Sequence, residues 1–337
     1  RFALLKIGGC SVGAALILRA GIGRMASLSR PKVLPLLPRE VVEDLAQRVE
    51  RVQVPVKLED PEDWRSNKKK DFVAWCRERD IDEVVTLRGS SDKEGHIAAN
   101  VVALMATGTR VSDLVDFWER SFDRIPPEHV DEAWLTRLDL RLRHPVFHRA
   151  KRCLDVVVAV IGLVLAFPIL ALAGLAIVLE SGFPILYFQN RKGFLGQDFT
   201  LIKLRTMRVD AEKDGAKWAK EGDDRTTRSG RLFRALRIDE LPQFWNVLRG
   251  EMSIVGPRPE RPEFVDQLSR DIPLWPCRHL VKPGLSGWAQ IRFRYAADAH
   301  AAREKLAHDL YYLKNASLLL DLQIILSTLR SVARGSR

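Results

Sequence analysis

Asp239 and Glu240 stand side by side in the run Arg237-Ile238-Asp239-Glu240-Leu241-Pro242-Gln243. Pro242 and Gly250 frame a short helix here, since proline suits a first turn and glycine the position just past the end. Two acids at a helix start have two readings. They cap it, because free amides and the dipole favour negative charge there, or they do chemistry. Downstream, Val255-Gly256-Pro257-Arg258-Pro259 pins Arg258 between two prolines. A fixed backbone lowers the entropy lost when the planar guanidinium fork engages a phosphate, and that context favours chemistry. Lys203, Arg205 and the Thr206 hydroxyl close an expected strand over Phe199–Leu204, behind a turn containing Gly193 and Gly196. Cations at such a place suit phosphate oxygens, though they also suit a solvated surface. Lys282 opens a second rigid loop, Lys282-Pro283-Gly284-Leu285-Ser286-Gly287-Trp288-Ala289-Gln290. Arg225, Arg228, Arg231, Arg234 and Arg237 recur every third residue, a spacing that drifts around a helix and reads as a face toward acidic lipid headgroups or water.

These groups need a scaffold, and 337 residues suggest about two domains. A hydrophobic content of 46% and a charged content of 29% exclude a mostly disordered chain. The net charge of +11 points to an anionic partner: nucleic acid, acidic lipid or a phosphorylated substrate. Residues 151–337 hold 29 basic against 20 acidic residues, and residues 1–150 hold 25 against 23, so the anion site belongs in the second half. Four scattered cysteines form no CxxC pair, and seven histidines no HExxH, which removes zinc hydrolase chemistry.

Val156–Leu179 is a run of 24 residues without a charge, bounded by Asp155 and Glu180. About 20 apolar residues suffice to cross a bilayer as a helix. Pro168 falls in its middle, and both flanks are basic (Arg149, Lys151 and Arg152 before; Arg191, Lys192, Lys203 and Arg205 after). Proline breaks helices and basic flanks stay in the cytoplasm, so the expectation is a re-entrant hairpin broken at Pro168. A nucleic-acid binder would leave this run without a role.

The first half reads as alternating α/β. Strand, glycine turn and helix are expected over Phe2–Ala20, and this reading is favoured over a signal-peptide core at Ile7–Leu18. Helices are expected over Glu40–Val52, Asp71–Arg79 and His96–Thr107, with strands over Asp82–Leu87 and Thr109–Val111. The Gly8-Gly9-Cys10-Ser11-Val12-Gly13 turn departs from GxGxxG, which favours a structural or regulatory module over a cofactor site. The expected divisions are an accessory domain over 1–125, a linker over 126–150, the hairpin over 151–182 and a catalytic domain over 183–337.

From Lys151 to about Arg330 the sequence resembles the monotopic phosphoglycosyl transferases, bacterial sugar transferases that start exopolysaccharide, capsule and O-antigen synthesis. The resemblance rests on Lys151-Arg152-x-x-Asp155 before the hydrophobic run, Lys203-Leu204-Arg205-Thr206-Met207, Asp239-Glu240-Leu241-Pro242-Gln243, Val255–Pro259 and Lys282–Gln290, in that order. Phe167 and Ala316 depart from it, standing where serine and tryptophan are usual. The resemblance implies an α/β protein: a Rossmann-like N-terminal domain, then a mixed, helix-rich catalytic domain with the re-entrant hairpin. Long members carry further segments upstream, and a chain opening at Arg1 is expected to be a piece of one.

What the resemblance implies for function is transfer of a sugar-1-phosphate from a UDP-sugar to undecaprenyl phosphate at the cytoplasmic face of the bacterial inner membrane. Asp239 is the implied nucleophile and forms an aspartyl-phosphosugar. Glu240 is its partner in holding Mg²⁺ or in orientation, and Lys203, Arg205, Arg258 and Lys282 take phosphate oxygens. UDP-glucose or UDP-galactose is the implied donor, and a homodimer is plausible for a long member. The alternative is an inactive, membrane-anchored scaffold of polysaccharide assembly.

Overall fold

The computed structural model describes residues 30–65, 71–87, 96–136, 144–209, 211, 223–293 and 299–333. The expected elements over Phe2–Ala20 lie outside these. The chain divides into two compact units, Arg1–Leu135 and Thr136–Arg337.

The first unit contains β1 (Lys32–Leu36), α1 (Arg39–Val52), β2 (Lys57–Leu58), α2 (Pro61–Arg65), α3 (Phe72–Glu78), β3 (Glu83–Thr86), α4 (His96–Ala106), β4 (Arg110–Asp113) and α5 (Leu114–Phe122). The strands form one parallel sheet in the order β2-β1-β3-β4. Side chains alternate across a strand. Val33 and Val85 therefore join Leu45, Phe117 and Trp118 on one face, while Leu34 and Val84 join Trp75, Cys76 and Leu104 on the other. Burial on both faces is what a parallel sheet with crossover helices requires. Asp71 and Asp113 cap α3 and α5 by accepting from Val73 N–H and Val115 N–H. Sequence reading missed β1, whose Pro35 argues against a central strand. Val33 turns its carbonyl toward β2, accepting from Glu59 N–H at 2.9 Å. Pro35, two residues on, turns its donorless nitrogen the same way, where the two-residue β2 has already ended.

The boundary helix α6 (Glu132–Thr136) precedes α7 (Pro145–Ser181), β5 (Leu186–Lys192), β6 (Asp198–Leu204), α8 (Arg228–Ala235) and α9 (Gln243–Arg249). Then come β7 (Ser253–Val255), α10 (Pro262–Asp271), β8 (Gly284–Ser286), α11 (Trp288–Arg292), α12 (Ala299–Asn315) and α13 (Leu318–Ala333). Strands β5 and β6 make an antiparallel ribbon; β7 and β8 pair in parallel.

Here the structure corrects the expectation of a break at Pro168. The helix α7 runs through it as one 37-residue element, about 55 Å at 1.5 Å per residue. Proline removes one N–H from the ladder but leaves the flanking turns their own bonds. Asp155, Ala159, Ala166, Ala173 and Ile177 recur at helical spacing and are buried, whereas Val160, Val164, Leu165, Phe167, Leu172 and Leu179 are exposed.

Both ends of α7 are bonded to the same body. Lys151 Nζ donates to Asp321 at 2.7 Å and to the Val255 carbonyl. Arg152 donates to the Val247 and Leu248 carbonyls at the end of α9, where cations are favoured. Asp155 accepts from Ser253 Oγ and Ile254 N–H. At the far end, Glu180 accepts from Arg228 N–H and Ser229 N–H at the start of α8. Arg205 Nη2 donates to the Ser181 and Gly182 carbonyls.

Candidate active site

Asp239 and Glu240 sit on a single 3₁₀ turn, Ile238–Glu240, between α8 and α9. Arg237 enters it with φ 54° and ψ 24°, the left-handed region that L-residues other than glycine occupy at a cost. Asn246 in α9 sets this turn against the ribbon. Its Oδ1 accepts from Ile202 N–H and its Nδ2 donates to the Thr200 carbonyl, so it serves β6 as a missing neighbour strand would. Lys203, between Ile202 and Leu204, is thereby brought into the electrostatic reach of both carboxylates.

Arg258 comes from the other side. Its Nη2 donates to Glu240 Oε1 at 2.6 Å, and Arg237 Nη1 lies 3.8 Å from Glu240 Oε2. A buried bracket holds the Arg258 turn from behind. Arg278 Nη2 donates to the Arg258 carbonyl at 3.0 Å, and Arg191 Nη1 to the Pro259 carbonyl at 3.0 Å. Arg278 in turn pairs with Asp309 at 2.8 Å, while Lys305 pairs with Glu260. The glycines of the two loop motifs serve backbone contact: a Cβ on Gly284 would strike the Gly256 amide nitrogen. Gly256 N–H donates to the Ser286 carbonyl, and Gly284 N–H to the Pro257 carbonyl. These two loops are zipped together, which makes the Arg258 turn rigid.

The electrostatics separate the two acids. Burial, then the adjacent Glu240, push the Asp239 carboxyl up to about 6 against Lys203, Arg234 and Arg258. Burial also pushes Glu240 up, but Arg258, Lys203 and Arg237 outweigh it and bring that group down to about 2. Burial and the neighbouring Arg258 and Arg191 press the Lys203 ammonium down to about 8. Glu240 thus gives its Oε1 to Arg258 and keeps Oε2 3.8 Å from Arg237, while the Asp239 side chain has no ion pair or hydrogen bond among the described residues. A carboxylate left free among cations is the arrangement a covalent phosphoryl acceptor needs.

The expected residues Asp239, Glu240, Lys203 and Arg258 come together. Arg205 does not join them through its Nη2, which closes the end of α7. Lys282 lies beside Gly250 and Arg152, at the foot of α7. The arginine series is also divided. Arg234 donates to Thr206 and Thr226 and acts on Asp239, Arg237 faces Glu240, and Arg225 pairs with Asp223. Sequence reading missed Arg278, used Arg191 only as a basic flank and gave Gln243 no role. Gln243 is 3% exposed, and its Nε2 has no partner among the described residues. Its place in the Asp239-Glu240-Leu241-Pro242-Gln243 run was the signal available.

For a divalent ion the fit is limited but real. No three His, Cys, Asp or Glu side chains converge among the described residues. Mg²⁺ commonly uses one or two carboxylates and completes its shell with water and substrate phosphate. Asp239 and Glu240 can supply that pair; they cannot form a cage.

The family model of the bacterial sugar transferases matches residues 146–335, the part that holds α7 and this cluster. The chain is 43% identical over 244 residues to a UDP-N-acetylgalactosamine-undecaprenyl-phosphate N-acetylgalactosaminephosphotransferase of Aeromonas hydrophila, covering 67% of this chain and 58% of that protein. It is 40% identical over 259 residues to a UDP-glucose:undecaprenyl-phosphate glucose-1-phosphate transferase of Caulobacter vibrioides, covering 71% of this chain and 97% of the relative. An Escherichia coli protein of that same description is 39% identical over 180 residues, which is 53% of this chain and 39% of the relative. The chain belongs to the bacterial sugar transferases, the phosphoglycosyl transferase family its motifs resemble.

Proposed function

We propose that the protein transfers a sugar-1-phosphate from a UDP-sugar to undecaprenyl phosphate in two steps at Asp239. The observation that carries this reading is the free, half-buried Asp239 carboxylate beside a Glu240 already neutralised by Arg258. In the first step an Asp239 oxygen bonds to the sugar-bearing phosphorus, the bond to the bridging oxygen breaks, and UMP leaves. In the second, a polyprenyl phosphate oxygen bonds to that phosphorus and the acyl–phosphate bond breaks. Polyprenyl-diphosphate-sugar departs and Asp239 is restored. Lys203, Arg258 and Arg234 balance the charge that builds on the equatorial oxygens. Mg²⁺, held by Asp239 and Glu240 together with the diphosphate, would neutralise substrate charge. The buried Gln243 Nε2, without a partner among the described residues, supports a role for this amide in binding the donor.

The donor class is a UDP-hexose or UDP-N-acetylhexosamine, on the relatives' activities. The membrane attachment is monotopic. A spanning helix puts its ends on opposite sides of the bilayer, whereas both ends of α7 are bonded to one body, so its exposed apolar face enters one leaflet from the cytoplasmic side. The N-terminal unit is a Rossmann-like accessory module. The test is UMP release from a panel of UDP-sugars with Mg²⁺ and undecaprenyl phosphate, wild type against Asp239→Asn. Release from one donor, lost in the variant, supports the reading. No release from any donor favours the inactive scaffold.

A further inference from the structure

An apolar groove of about 800 Å³ lies between α7 and the β5–β6 ribbon. Leu163 and Leu170 of α7 line it together with Phe183, Leu186, Phe188 and Trp245. Phe183, Phe188 and Trp245 are 74%, 58% and 52% exposed, and large aromatics left uncovered together mark a surface that meets an apolar partner. Two connections join this groove to the carboxylate site. Ile202 and Leu204 line it, while Lys203 between them turns to the other face of β6, where it interacts with Asp239 and Glu240. Pro242 also lines it, three residues after Asp239 on the same turn. A cluster of cations and a hydrocarbon groove sharing one strand and one turn call for a ligand with a phosphate head and a long apolar tail. We propose that the groove holds the isoprenoid units nearest the phosphate of the polyprenyl phosphate acceptor, with the head passing Pro242 to reach Asp239. This rests on the transferase reading and assigns the residues that recognise its lipid.

The experiment separates the two half-reactions in the full chain reconstituted in nanodiscs. UMP formed from the UDP-sugar without acceptor reports the first step; KM for undecaprenyl phosphate and for a two-isoprene phosphate reports the second. In Phe188→Ala and Trp245→Ala the first step is expected to stay at its wild-type rate. KM rises about tenfold for the long acceptor and for the two-isoprene one alike, because both place the units nearest the phosphate in the groove. A long-chain KM that stays at the wild-type value overturns the groove while leaving the transferase reading intact. Absence of UMP in the wild type overturns both. A photoreactive isoprenoid phosphate supplies a readout that needs no variant. Labelling within 183–188 and 242–249, competed by undecaprenyl phosphate, supports the assignment. Labelling only elsewhere, or equal labelling by a photoreactive phospholipid that undecaprenyl phosphate does not displace, overturns it in favour of general bilayer contact.

Discussion

Arg258 Nη2 meets Glu240 Oε1 at 2.6 Å, and this one bond divides the labour of two adjacent acids. Glu240 becomes a fixed, ionised anchor, and Asp239, one residue earlier, keeps its oxygens free. The arginine reaches that position because Arg278 and Arg191 hold the carbonyls of its own turn.

Removing the free acid is expected to be far worse for chemistry than for folding. Asp239→Asn keeps the shape and is expected to abolish UMP release, a loss of at least about a thousandfold for a covalent nucleophile. Its urea unfolding midpoint stays near wild type. Glu240→Gln strips Arg258 of its counter-charge and is expected to lower both rate and midpoint. An active Asp239→Asn protein would remove the assignment.

The pH profile of the first half-reaction is expected to be bell-shaped. Asp239 attacks only when ionised, so the rate rises as pH passes about 6. Lys203 assists only as a cation, so the rate falls as pH passes about 8. Lys203→Arg, charged at every accessible pH, is expected to lose the alkaline fall and keep the acid one. An alkaline limb unchanged in that variant would exclude Lys203 as its source.

Asp309→Ala leaves the Arg278 guanidinium buried without its partner. Breaking a buried ion pair from one side costs about 3–5 kcal/mol, so a large drop in the unfolding midpoint is expected. Asp309 and Arg278 side chains are 2% and 1% exposed, which leaves no water to make good the loss. A midpoint within experimental error of wild type would show that Glu260, whose Oε1 lies 3.8 Å from Arg278 Nη1, suffices for Arg278.

Gln243→Leu is expected to move activity and stability in opposite directions. Leucine removes an amide whose Nε2 is buried and unpaired, a group that costs roughly 1–3 kcal/mol to leave unsatisfied. The unfolding midpoint therefore rises. Donor kcat/KM falls about tenfold, because the amide is proposed to bind the donor. A variant with unchanged kinetics would make Gln243 a structural residue.

Gly284→Ala tests the zipped loops. The added Cβ meets the Gly256 backbone, which cannot swing aside as a side-chain tip can. A cost of about 1–3 kcal/mol, typical of overpacking, and a fall in activity through displacement of Arg258 are expected. A fully active, equally stable variant would mean that the loops are not rigidly joined.

Local rules already determined a good deal. Apolar periodicity marked α1 and α3 to within about one residue, the polar entry marked β3, and proline and glycine bracketed α9. The uncharged run marked α7, and the order of five short motifs marked the family. Each of these signals is carried by neighbours along the chain. The destination of each cation was not. Arg205 and Lys203 are two residues apart, yet one closes a helix end and the other faces the carboxylates. Lys282 and Arg258 both belong to proline-glycine loops, yet only Arg258 reaches Glu240. Residue type fixes a charge and its number of donors. Which carboxylate or carbonyl it meets depends on elements up to 170 positions away, as for Lys151 and Asp321. The same holds for β1, where Pro35 is admissible only because a strand from elsewhere in the sequence ends in time, and for α7, whose proline is carried by a body packed along its length.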